Sequence, residues 1–228
     1  MERGFQRART DAQRAQRRDS ILAAARAALA SKRAADTTLT DIAAGAGVAK
    51  SAVLRYFTSR EAVLLEIFQT DYAAWADQVV QQLRPLPSAP AQPTRVARIL
   101  AATALGAPAV AEMLGSVGSV LEHNVTAREV ADFKIRIARA ATPLREQIEE
   151  KSGTGPAPAL LVGIHSLIAH VWVLDHPAPA LVEARGLDPR VPPHQDATAL
   201  LAELIAALLR GLSGGRGPDK RGRPRTRA

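Results

Sequence analysis

The stretch DIAAGAGVAKSAVLRYFTSREAV, residues 41–63, starts as an alanine-rich helix, breaks at Gly47 and resumes as a short helical run ending in Tyr56 and Phe57. Glycine at the break supplies a backbone conformation that a Cβ resists. Ile42, Ala43 and Ala46 before the break, and Val48, Val53 and Phe57 after it, have the spacing that lets two helices pack. Lys50, Ser51, Leu54 and Arg55 are then left facing outward, with Ala52 and Tyr56 on the flanks. Two helices joined by such a turn make a helix-turn-helix, whose second helix enters the major groove of DNA. Small residues let its backbone approach base edges, while Lys, Ser, Arg and Tyr bond bases or phosphates. An αα-corner in a helical bundle, with an ordinary solvated face, has the same spacing.

The charge pattern bears on that choice. The chain of 228 residues carries a formal net charge of +8, and residues 1–33 hold nine basic residues against three acidic ones. Residues 213–228 hold six against one, so the span between them is slightly acidic. Basic ends on a near-neutral body suit a polyanion gripped by the termini. With no cysteine there is no disulfide and no thiolate nucleophile or metal ligand, in keeping with a reducing cytoplasm. The arginine-rich start lacks the apolar core of an export signal. Residues 152–174 run 23 residues without a formal charge, the length of a membrane span. Their first seven are Gly, Pro, Ser, Thr and Ala, and His165, Ser166 and His170 interrupt the rest, so a helix buried in protein is expected and no membrane partner.

Ala and Leu dominate and no sustained period-2 alternation occurs, which predicts an all-α chain. The first helix is expected over 12–31, and the second begins at the capping pattern Thr38-Leu-Thr-Asp41 and ends at Gly47. The third covers 50–56. A fourth starts at a second box, Thr58-Ser-Arg-Glu61, and keeps helical spacing through Val63, Leu64, Ile67, Phe68, Tyr72 and Trp75 to residue 83. Four prolines over 84–94 read as a linker. Further helices are expected over 95–105, over 108–123, from a box at Thr126-Ala-Arg-Glu129 to 150, over 159–174 and over 195–212, with a proline-rich loop at 175–193. The domain plan is an arm and helix-turn-helix at 1–58, a connecting helix at 59–83, the linker, a helical domain at 95–212 and a disordered basic tail at 213–228.

At residues 37–68, TTLTDIAAGAGVAKSAVLRYFTSREAVLLEIF, the sequence resembles the signature of the TetR-type transcriptional regulators. The layout of about nine helices matches that family over nearly the whole chain. The resemblance implies a homodimer with an N-terminal three-helix DNA-binding domain and a C-terminal ligand-sensing domain, most often a repressor released from a palindromic operator by a small molecule. Position by position it puts Thr38 and Thr40 on the phosphate backbone or groove edge. It puts Lys50, Ser51, Ala52, Leu54, Arg55 and Tyr56 on the recognition helix, and Arg60 on a phosphate. Two departures stand out: Leu54 where the family commonly has tyrosine, and Ala49 where it commonly has a Ser or Thr cap. Gly45 adds a propensity cost inside the second helix. An architectural DNA-binding protein without an effector is the alternative.

The resemblance also implies a four-helix dimer interface from the last two helices. Leu160, Ile164, Leu167, Ile168 and Val171 line one face of the penultimate helix, and Leu200, Leu204, Ile205 and Leu208 one face of the last. A purely internal core would show the same stripes, but their width favours dimerisation. Candidate liners of an effector pocket are Glu122, His123, Asn124, His165 and His170, with Phe133 and Trp172 as walls; each is equally at home in a core or on a surface. His165 and His170 are five residues apart without a nearby acid, so no metal site is expected. Neither a nucleophile–base–orienter triad nor a Gly-rich phosphate loop is visible, so neither enzyme activity nor a cofactor is expected. In the tail, Arg221, Gly222, Arg223 and Pro224 resemble the core of an AT-hook, an extended motif for narrow A·T-rich minor grooves, although a solvated Arg/Pro tail reads the same way.

Overall fold

The computed structural model describes residues 2–117 and 121–214, the side chains of 2–10 and of His123 excepted. The basic tail, including Arg221, Gly222, Arg223 and Pro224, lies outside the described residues. Among the described residues there are ten α-helices, one 3₁₀ turn and no strand. The helices are α1 Glu2–Leu29, α2 Leu39–Gly45, α3 Lys50–Val53, α4 Arg60–Leu83 and α5 Pro93–Leu105. They continue as α6 Pro108–Ser116, α7 Ala127–Ser152, α8 Leu160–Asp175, α9 Pro179–Leu187 and α10 Ala197–Gly214, with the 3₁₀ turn at Leu121–Asn124. Two compact units result. One comprises the described residues up to Trp75 with Ala107–Ala140, the other Ala76–Gly106 with the described residues from Ala141.

The first unit is built on α4. All six residues that its periodicity singled out, Val63, Leu64, Ile67, Phe68, Tyr72 and Trp75, are buried, and the Phe68, Tyr72 and Phe133 rings cluster around it. Ile21 and Ala25 of α1 and Ile42 and Ala43 of α2 complete the base of the helix-turn-helix. α7 opens on the expected capping box: the Thr126 hydroxyl accepts the Glu129 amide proton, and the Glu129 carboxylate accepts from the Thr126 amide at 2.8 Å. The box expected at Thr58 is different. The Ser59 hydroxyl takes the cap by accepting the Ala62 amide proton at 3.1 Å, while the Thr58 hydroxyl donates to Glu129 of α7 at 2.7 Å. A carboxylate brought in by tertiary structure outcompetes the local amide.

The second unit packs α10 on α5 and α8. Val96, Leu100 and Ala104 of α5 meet Leu160, Ile164, Ile168 and Val171 of α8 and Leu201, Ile205 and Leu209 of α10 in its core. α10 is long and apolar enough to cross a membrane, and it buries Leu201, Ile205 and Leu209 inside the unit while Leu204 stays exposed. The proline-rich segment is no free tether: Leu86 is buried, the Lys151 ammonium donates to the Ser88 hydroxyl at 3.0 Å, and the Gln92 amide donates to the Lys151 carbonyl at 2.8 Å. Proline forbids a helix there without forbidding packing. The expected loop at 175–193 contains α9, which starts on Pro179 at its first turn and buries none of its residues. α6 stops at Ser116, short of the expected 123.

Candidate nucleic-acid interface

Gly47 has φ +64°, the left-handed value that the turn between α2 and α3 requires. Its amide and that of Val48 donate back to the Ala44 and Ala43 carbonyls, each at 3.0 Å. Gly45, a cost when considered as helix propensity alone, has a steric cause: a Cβ there would lie 3.2 Å from the Ala24 Cβ of α1. Its absence lets α1 and α2 approach. Thr38 caps α2 in a full reciprocal box with Asp41. The Lys32 ammonium, 2.7 Å from Asp41, and then the Thr38 amide and hydroxyl hold the Asp41 carboxyl well below the usual carboxylate range.

α3 is a single turn, and the chain continues it to Phe57 through the Tyr56 and Phe57 amides, which both donate to the Val53 carbonyl. Val53 and Phe57 are buried, as anchors should be. Lys50, Ser51, Leu54 and Arg55 are exposed, Ala52 and Tyr56 half-buried, and Thr38 and Thr40 exposed at the start of α2. Ala49 caps α3 without a side-chain hydrogen bond. Arg60 does not present itself to solvent phosphate. Its guanidinium donates to the Ala35 and Thr37 carbonyls at 3.2 and 3.0 Å and to Glu61 at 2.9 Å, so it braces the entry to α2.

Arg14 and Arg17 of α1, with Gln13, Gln16 and Ser20, line one open groove of about 730 Å³ together with Arg55 and Tyr56. Position-by-position resemblance missed these two arginines; the basic excess of residues 1–33 was the signal for them. The groove therefore extends the basic surface of α3 along α1.

The pocket candidates divide between the units. In the first, Glu122 forms an ion pair with Lys134 at 2.5 Å, Asn124 is exposed, and Phe133 is buried against Phe68. The His123 side chain is outside the described residues. In the second, His170 is exposed and Trp172 stacks on His176 at 3.7 Å between ring centroids. Burial pushes the half-buried His165 imidazole down to about 4. Between its unfolded value near 6.5 and that folded value, the unfolded chain binds a proton that the folded chain does not. Stability is thus complete above pH 6.5 and falls as pH drops towards 4, by about 1–2 kcal/mol once partial exposure is allowed for. Urea midpoints at pH 7.5 and 5 check this: His165→Gln is expected to lose that share of the pH dependence, and an unchanged dependence contradicts it.

The expected dimer stripe is also repartitioned. Leu160, Ile164, Ile168, Val171 and Ile205 are buried within the protomer and have no surface to offer a second chain. Leu167, Leu200 and Leu208 are half-buried and Leu204 is exposed. Because α8 is apolar nearly all round, periodicity does not say which stripe turns inward. Left outside on α8 are Val162 and Val173 on one face and Leu174 beside it, 68%, 62% and 48% exposed.

Residues 21–67 match the family model of bacterial regulatory proteins, tetR family, and residues 69–216 match that of the tetracyclin repressor-like C-terminal domain. The chain belongs to the tetR family. It is a DNA-binding transcriptional regulator, and the helix-turn-helix of α2 and α3 is the DNA-binding element of a tetR-family protein. Among solved structures, the fatty acid degradation regulator FadR from Bacillus halodurans is similar at 20% identity, over 88% of this chain and 96% of that one, with a TM-score of 0.48. None of the curated proteins is similar enough to count as a match. Regulators of the tetR family bind DNA and form dimers.

Proposed function

We propose that this tetR-family regulator is a homodimeric repressor that binds a palindromic operator and is released by a small-molecule effector. The observation that carries the DNA part is the outer face of α3: Lys50, Ser51, Leu54 and Arg55 are exposed while Val53 and Phe57 anchor the same turn from behind. The dimer part is supported by the apolar surface on the last long helices, where Val162 and Val173 fall about three turns apart on one face of α8 and Leu204 is exposed on α10. Two recognition helices related by a two-fold axis would meet successive major grooves.

Selection from random duplexes followed by footprinting tests this. A short inverted repeat protected by a species of twice the chain mass in sedimentation is the expected result. Broad, sequence-independent coverage would instead favour an architectural role, and a monomer bound to a single half-site would refute the dimer.

A further inference from the structure

α3 is one turn long and its cap, Ala49, makes no side-chain hydrogen bond, so its orientation must be imposed from outside. Arg18 of α1 supplies a grip at its far end. Its Nη1 donates to the Tyr56 carbonyl at 3.2 Å, and its guanidinium carbon lies 4.3 Å from the centroid of the Phe57 ring. Nε donates to Glu66 Oε1 of α4 at 3.1 Å, and Nη2 pairs with Glu66 Oε2. A single planar group therefore joins α1, α4 and the residues that complete the recognition helix. The side chains of Arg18 and Glu66 are 39% and 23% exposed.

We propose that Arg18 is a positioning residue for DNA recognition. Oriented by Glu66, it holds the carbonyl end of the recognition helix and sets the angle at which Lys50 and Arg55 meet the bases, without contacting DNA itself. This rests on the DNA-binding reading of α3. The chemistry calls for the arginine fork: an ammonium cannot donate to a carboxylate and a carbonyl along fixed in-plane directions while lying flat on an aromatic ring. The competing role is a phosphate contact beside Arg14 and Arg17. The two roles give opposite signs for Glu66. Removing its charge would free a phosphate-binding arginine and tighten binding, but would loosen a positioning one and weaken it.

The test uses the full chain, a duplex selected from random sequence by the wild type, and a scrambled duplex, with affinities measured across a salt series. Arg18→Lys and Glu66→Gln are each expected to weaken binding to the selected duplex roughly tenfold, the size of one missing hydrogen bond to a charged group. Binding to the scrambled duplex and the slope of log K against log salt should stay as in the wild type. Wild-type affinity for Arg18→Lys, tighter binding by Glu66→Gln, a shallower slope, or equal weakening on both duplexes would each overturn the proposal. Thermal melts run alongside; if Arg18→Lys fails to fold, Glu66→Gln decides by the sign of its effect. A wild-type chain that selects no duplex refutes the DNA-binding reading itself, a distinct outcome.

Discussion

Changing Lys50 and Arg55 together to alanine is expected to weaken binding to a selected duplex at least about a hundredfold, because each good side-chain bond to a base or phosphate contributes about 1–3 kcal/mol. Both side chains are exposed on the turn that Val53 and Phe57 anchor, so their removal costs the fold little. The salt slope should fall with affinity, since a duplex gripped through fewer phosphates gives up fewer counterions on binding. A double variant that keeps both affinity and slope would mean that this face of α3 does not meet DNA. Leu54, 49% exposed between them, adds apolar surface without a donor and fits a thymine methyl better than a phosphate.

Phe57→Ala is expected to destabilise the first unit by about 3–5 kcal/mol, the range for truncating a buried aromatic. The ring is 5% exposed, lies beneath the Arg18 guanidinium and closes the core behind the recognition helix. Denaturant unfolding followed at two probes measures this, since the chain has two compact units and one transition need not describe both. A loss below about 1 kcal/mol would show that the site collapses around the missing ring.

The legible parts were those encoded by local repetition. α4 keeps one apolar face over its length, and every residue singled out on it proved buried. The Thr38 and Thr126 boxes are complete within four residues and formed as expected. What escaped depends on neighbours distant in sequence. Thr58 has a local partner three residues away, but Glu129, 71 residues on, takes its hydroxyl. Arg60 sits where a phosphate contact fits, yet two carbonyls across a loop hold it. α8 shows that a stripe can be found while its covering cannot, because α5 and α10 bury the side that seemed free. α9 has no buried face to imprint a period on its sequence, and the prolines around it read as loop. Arg14 and Arg17 were visible as charge but not as a place, since their groove forms only once Arg55 and Tyr56 are folded beside α1.

The close approach at Gly45 has a wider meaning for how this protein can vary. Gly45 and Ala24 lie on different helices, and the space between them comfortably holds one methyl group, now on Ala24. A methyl at 45 would need α1 or α2 to give by a few tenths of an ångström. A methyl gained at 45 fits best if one is given up at 24, so the two sites form a single shared volume with two addresses. How far α1 can yield against α2 therefore decides whether position 45 accepts a side chain.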